Sequence, residues 1–135
     1  MVREYIEFKE EEVLSLYQSV GWTIYAADPE KLRRAFENSL CVLAAYESDT
    51  LVGILRAVGD GETVVFLQDI LVRPDKQGQG IGRRLMAEFY RRYSHVRQIQ
   101  LLTDDVPSTV GFYRAMGMVP AEELHFKCFV KLRYE

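Results

Sequence analysis

A chain of 135 residues that is 48% apolar and 27% charged is sized for one domain burying about 70% of its unfolded surface, which excludes disordered, collagen-like and low-complexity classes. No apolar run approaches the ~20 residues of a membrane span, and the alternating charged and apolar start, residues 1–10, is unlike a secretory signal. With 17 basic and 20 acidic residues the net charge is −3, which disfavours a general nucleic-acid binder. Cys41 and Cys128 lie in apolar stretches and are expected to be buried thiols of a reducing cytoplasm; they are too few for a disulfide framework or a zinc site. His95 and His125 have no ligand cluster around them, so no metal site is expected.

Residues 2–8 alternate as a strand would. Glu10, Glu11 and Glu12 then open a helix running to about Val20, their charges suited to the positive end of the helix dipole, and Gly21 closes it. A short aromatic connection, Trp22-Thr23-Ile24-Tyr25, leads to Asp28-Pro29, the cap and first-turn proline of a second helix ending near Asn38. Residues 40–46 read as a buried strand. Turns at Ser48-Asp49-Thr50 and Gly59-Asp60-Gly61 link it to strands over 51–58 and 64–72. After Pro74 and a glycine-rich loop comes an amphipathic helix to about Tyr93, then a strand over 96–102, a short helix over 107–116 closed by Gly117, and a last strand over 126–133. The order implies a mixed α/β sheet with helices on its faces, a single domain over 1–135.

The chemistry concentrates in Asp69-Ile70-Leu71-Val72-Arg73-Pro74-Asp75-Lys76-Gln77-Gly78-Gln79-Gly80-Ile81-Gly82-Arg83-Arg84. A strand stops at a proline, glycines form a turn, and a helix starts directly out of it. Such a turn builds an anion site, because backbone N–H groups converge at the positive end of a helix dipole. Lys76, Arg83 and Arg84 add positive charge. A nucleotide-hydrolase loop would need Lys and Ser or Thr after its last glycine, where Arg83 and Arg84 stand. The dinucleotide fingerprint fails on its glycine spacing and on its place after antiparallel hairpins.

Gln77-Gly78-Gln79-Gly80-Ile81-Gly82, entered through Val72-Arg73-Pro74, resembles the signature of the GCN5-related N-acetyltransferase (GNAT) superfamily. Gly111-Phe112-Tyr113-Arg114-Ala115-Met116-Gly117-Met118 is similar to that family's Phe-Tyr-x-x-x-Gly-Phe segment. The chain departs from the pattern at Val106, where an asparagine is frequent, at Thr109, where a small residue is usual, and at Met118, in place of Phe. The resemblance, which covers nearly the whole chain, implies a mostly antiparallel sheet of six to seven strands flanked by about four helices. Its central strands would splay to form an acetyl-CoA cleft.

It further implies that Gln77, Gly78, Gly80, Ile81, Gly82 and Arg83 hold the pyrophosphate of coenzyme A, with Leu71 and Val72 pairing with its pantetheine arm. The implied activity is acetyl transfer from acetyl-CoA to a primary amine of a small molecule or peptide, by direct attack in a ternary complex. That reaction needs a base for the ammonium, a donor for the oxyanion and an acid for the thiolate. Tyr113 is the candidate acid, the N–H of Val72 (or of Leu71) the oxyanion donor, and Asp69 a candidate base beside ordered water. Trp22 and Tyr25 are read either as an aromatic wall for the acceptor, with cation–π attraction available, or as a staple between helices. No membrane or nucleic-acid partner is expected, and a homodimer is left open. A non-catalytic acyl-CoA sensor on the same fold is the alternative, against which Tyr113 argues, since a binder needs no acid at the sulfur.

Overall fold

The structure, a computed structural model, describes residues 1–133. They divide into two compact units, residues 1–102 and the residues from Thr103 onward. The first unit runs β1 (Val2–Glu4), α1 (Glu10–Ser19), α2 (Thr23–Ala26), α3 (Pro29–Glu37), β2 (Cys41–Glu47), β3 (Thr50–Gly59), β4 (Val64–Val72), α4 (Ile81–Arg92) and β5 (Gln98–Leu101). The expected aromatic connection after Gly21 is in fact one helical turn, α2, entered from Trp22. Asp28 caps α3 by accepting a hydrogen bond from the Lys31 N–H at 3.2 Å, with Pro29 in the first turn.

The strands form one five-stranded sheet in chain order, antiparallel from β1 to β4, with β5 parallel to β4. On one face, Val13, Leu16 and Tyr17 of α1 and Leu32 and Phe36 of α3 pack on Val42, Ala44, Ile54 and Leu71. The other face carries α4 through buried Ile81, Leu85, Met86 and Phe89. The first turns of α4 pack closely over Gly53 on β3. A Cβ there would meet Ile81 Cγ2 and the Leu71 carbonyl oxygen at 3.1 Å and Leu85 Cδ1 at 3.3 Å.

The register of β3 on β4 slips once. Arg56 opposes Asp69 while its neighbour Ala57 opposes Leu67, so Gln68 is an extra residue, a β-bulge. Adjacent β3 residues face opposite sides, so the bulge turns Leu67 and Val65 toward α4 but Asp69 and Leu71 toward α1. The β4–β5 ladder runs from Val64↔Gln98 to Leu67↔Leu101 and stops, leaving 68–72 without a strand on that side among the described residues.

The second unit holds α5 (Pro107–Ala115), which ends as Gly117 N–H donates to Arg114 O and Met118 N–H to Tyr113 O, each at 3.0 Å, and a short turn over Ala121–Leu124. The last strand expected over 126–133 does not form: these residues lie in no ladder and are exposed, so the sheet has five strands among the described residues, not six or seven. Their alternation suits a strand, but alternation becomes a strand only against a partner edge. For the same reason Cys128 is exposed, contrary to its expected burial, whereas Cys41 is buried.

Candidate functional site

Where β4 leaves the ladder its backbone is available on one side. Arg73 N–H donates to Val52 O at 2.9 Å, and antiparallel N–H groups alternate between the two sides of a strand. The N–H and C=O of Val72 therefore point away from β3, toward the side where the β5 ladder has ended, while those of Leu71 point at β3. The Val72 carbonyl accepts a hydrogen bond from Gln77 Nε2 at 3.0 Å rather than from a strand. Of the two candidate oxyanion donors, Val72 is the one whose N–H faces the open side.

The loop that follows is built for close approach. Gly78 and Gly80 hold φ of 81° and 83°, a left-handed conformation that costs other residues about 1–2 kcal/mol. No atom lies within 4 Å of a Cβ placed on Gly78, and on Gly80 the nearest is the tip of Arg84 at 3.8 Å, so the inner side of the loop is clear. Gly80 caps α4 with no side-chain hydrogen bond, so the first N–H groups of α4, at Ile81, Gly82 and Arg83, emerge uncapped by any side chain. Arg83 and Arg84 are exposed and form no ion pair among the described residues, whereas Lys76 is paired with Glu47 and its charge is partly spent. A donor-rich, cationic cradle of this kind takes phosphate oxygens.

On the α1 face, the bulge delivers Asp69 to a buried cluster. Asp69 Oδ2 accepts from the Tyr17 hydroxyl at 2.7 Å and from Arg56 Nε at 2.8 Å. Asp69 is 2% exposed, and its Oδ1 is buried without a hydrogen-bond partner. Burial first, then the Asp69 carboxylate, pushes the Tyr17 phenol far above its ordinary range, so it stays a donor. Tyr17 also links the cluster to the predicted aromatic pair: its ring lies edge-on to Trp22 at 6.2 Å and to Tyr25 at 5.8 Å. Trp22 and Tyr25 are 38% and 36% exposed, enough to present a ring face while resting on a buried one. Gln68, the bulge residue, donates from Nε2 to Tyr25 Oη at 3.4 Å. Val72, Asp69, Trp22, Tyr25 and the 77–83 loop thus all stand on the first unit. Tyr113 stands on α5 of the second, half-buried and edge-on to Phe112 at 5.2 Å.

Sequence reasoning missed Tyr17 and Arg56. Tyr17 stands at an apolar-face position of α1, and nothing in the sequence marks its hydroxyl. Arg56 did carry a signal: an arginine inside the apolar run Ile54–Val58 can be buried only against an anion, and Asp69 is the carboxylate of the strand paired with it.

The sequence profile of the Acetyltransferase (GNAT) family matches residues 6–118. The chain belongs to this family. A GNAT-family acetyltransferase of Streptococcus pneumoniae TIGR4 superposes with a TM-score of 0.89 at 37% identity, over 100% of this chain and 98% of that one. The uncharacterized N-acetyltransferase ycf52 of Gracilaria tenuistipitata var. liui is 34% identical over 110 residues, 77% of this chain and 58% of the relative. The chloroplastic serotonin N-acetyltransferase 2 of Oryza sativa subsp. japonica is 37% identical over 94 residues, 65% of this chain and 46% of the relative. The chain spans about three-fifths of the length of the first curated relatives it matches. An aminoglycoside 6′-N-acetyltransferase in complex with coenzyme A shares the fold at a TM-score of 0.68, with 20% identity over 78% of this chain and 63% of that one. No helix among the described residues is long and apolar enough to cross a membrane, and no group of three or more His, Cys, Asp or Glu is placed to hold a metal ion.

Proposed function

We propose that this GNAT protein transfers an acetyl group from acetyl-CoA to a primary amine by direct attack in a ternary complex, within a single domain and in the cytoplasm. The observation that carries the reading is the clear, cationic cradle over Gln77–Arg83 adjoining a strand end whose Val72 N–H and C=O face outward. Gln77, Gly78, Gly80, Ile81, Gly82 and Arg83 suit a pyrophosphate, and Leu71 with Val72 suits an extended amide arm. When bound, acetyl-CoA supplies a thioester carbonyl open to an amine.

The residues divide the remaining work. The Val72 N–H donates toward the carbonyl oxygen as negative charge develops on it, a fixed donor worth about 2.7–4 kcal/mol in comparable oxyanion sites. Trp22 and Tyr25 offer ring faces to the acceptor or its aliphatic stem, and an ammonium over such a face gains about 0.5–2 kcal/mol. Asp69, whose buried Oδ1 has a free lone pair, is the candidate acceptor for the proton that the ammonium must lose. Tyr113, whose phenol carries a transferable proton, is the candidate acid for the departing thiolate. The acceptor is an amine of a small molecule or peptide. The rice relative's serotonin and the aminoglycosides of more distant relatives place aromatic and polycationic amines first in any screen.

Tyr113→Phe tests the chemistry. It keeps the ring and removes the proton, so acetyl-CoA-dependent thiol release should fall by roughly 10²-fold with cofactor affinity retained. Unchanged turnover with chemistry rate-limiting assigns Tyr113 to packing.

A further inference from the structure

Asp69 is held by one oxygen. The Tyr17 hydroxyl donates to Oδ2 at 2.7 Å and Arg56 Nε donates to the same atom at 2.8 Å, while Oδ1 has no hydrogen-bond partner among the described residues. An arginine that only neutralises a carboxylate frequently binds it with two prongs, one N–H to each oxygen. Here the guanidinium is turned aside, its Nη1 reaching Ser39 Oγ at 3.4 Å, and the second donor on Oδ2 is a phenol. Leaving a buried acceptor unpaired costs stability, so two donors on one oxygen and none on the other is an arrangement the fold maintains against its own interest.

The phenol that does this has a second set of neighbours. Its ring lies edge-on to Trp22 at 6.2 Å, to Tyr25 at 5.8 Å and to Phe36 at 6.2 Å. Val13 and Leu16 of the same helix are buried in the same core cluster, so the backbone carrying Tyr17 is fixed on the sheet. Ring and hydroxyl oxygen are one rigid plane, and whatever places the ring places the oxygen. Every residue in this set lies within residues 1–102.

We infer that Tyr17 is a positioning residue for the transfer: its hydroxyl, beside Arg56, pins Asp69 through Oδ2 and leaves Oδ1 to take the proton of the acceptor ammonium, while its ring seats Trp22 and Tyr25 relative to that oxygen. The inference rests on the acetyl-transfer reading above. In the step it serves, an N–H bond of the ammonium breaks and an O–H bond forms at Oδ1, directly or through one water. The nitrogen keeps the electron pair that attacks the thioester carbon. Without the Tyr17 hydroxyl the carboxylate keeps a single contact on Oδ2 and can turn about its broad terminal torsion, so Oδ1 loses its fixed direction.

Tyr17→Phe keeps the ring and removes the hydroxyl. Thiol release is compared for two amines that share the body of the best screened acceptor but differ in acidity; for an aromatic body these are phenethylamine and phenylalaninamide. At about pH 8.5 the first is charged, as lysine (~10.4) is, whereas the second carries an α-amino group (~7.7–8.0) and is mostly neutral. A neutral amine needs no base, so kcat should fall roughly tenfold for the charged amine, as on losing one hydrogen bond to a charged group, and less than about twofold for the neutral one. Acceptor KM and the emission of Trp22, the one tryptophan of the chain, should hold in Tyr17→Phe and change in Tyr17→Leu. Added to Asp69→Asn, Tyr17→Phe should have no further effect on kcat. Tyr17→4-aminophenylalanine, a weaker donor on the same ring, should fall between parent and Tyr17→Phe on the charged amine alone, and it stands in for Tyr17→Phe if that variant does not fold. A defect equal for both amines, or one that adds in full to Asp69→Asn, would make Tyr17 a packing residue and overturn the inference. Full activity of Tyr17→Phe on both amines would overturn it alone, whereas a parent that releases no thiol with any screened primary amine would overturn the acetyl-transfer reading and this inference with it.

Discussion

Asp69→Asn is the most informative single change at the site. Asp69 and Arg56 side chains are 1% and 7% exposed, and the carboxylate is the anion for a guanidinium that water does not reach. The amide oxygen of Asn can still accept from Arg56 Nε, but the counter-charge is gone: the other contacts of Arg56, Nη1 to Ser39 Oγ at 3.4 Å and the Phe36 ring at 5.6 Å, carry none. Removing one partner of a buried pair typically costs about 3–5 kcal/mol, because the surviving charge stays desolvated. At this chain length about 4 °C of Tm corresponds to 1 kcal/mol, so Tm should fall by roughly 12–20 °C. Differential scanning calorimetry measures the fall, and thiol-release assays at a temperature where both proteins are folded isolate the chemistry. The double variant Arg56→Met, Asp69→Leu should recover most of the stability, since a buried pair is often replaceable by apolar side chains. If Asp69 carries the proton, that double variant is stable and slow. A Tm for Asp69→Asn within about 3 °C of the parent would refute the buried-pair argument.

Gly80→Val should cost about 1–2 kcal/mol through its left-handed backbone and weaken acetyl-CoA binding, read as loss of the ligand-induced rise in Tm; a full rise would show that the cradle is not the anion site. Trp22→Ala should raise the acceptor KM about two- to thirty-fold at constant acetyl-CoA affinity, the loss of about 0.5–2 kcal/mol, whereas a large fall in Tm with unchanged KM would make Trp22 a staple on Tyr17. Burial above all pushes the Tyr46 and Tyr93 phenols up to about 12, and Tyr17 further. The fold thus favours their neutral forms, and this contribution is intact below the ordinary phenol value near ~10 and is lost as pH rises toward the folded values. Tyrosine ionisation followed by ultraviolet absorbance should therefore lag in the native protein and complete only with alkaline unfolding; full titration near pH ~10 in the folded state would contradict it.

The helices and hairpins were legible because their signals are local: three acids opening α1, Asp28-Pro29 opening α3, the hairpin turn at Ser48-Asp49-Thr50. The glycine loop was legible for the same reason, its positive-φ positions being written as Gly78 and Gly80. What failed depended on distant partners. The pattern of 126–133 specifies a strand face but not an edge to pair with, so neither the missing sixth strand nor the exposure of Cys128 could be read from it. The bulge at Gln68 left no mark, because the burial of Val65, Leu67, Asp69 and Leu71 alternates evenly in sequence while the side they face changes. That hidden change is what brings Asp69 to Tyr17.

Gly53 has no side chain to offer a ligand, yet it sets a dimension of the site. The first turn of α4, whose N–H groups line the cradle, rests on β3 at the point where Gly53 has no side chain, with the Leu71 carbonyl on the same spot. A single methyl there must displace Ile81, Leu85 or the β4 backbone by a few tenths of an ångström. The cradle belongs to one of these elements and the outward-facing Val72 N–H to another, so the spacing between the two is calibrated from a third strand. A population of homologous chains sampling small and larger residues at this position would be sampling cleft widths, and with them the distance between the anchored and the reacting ends of whatever spans it.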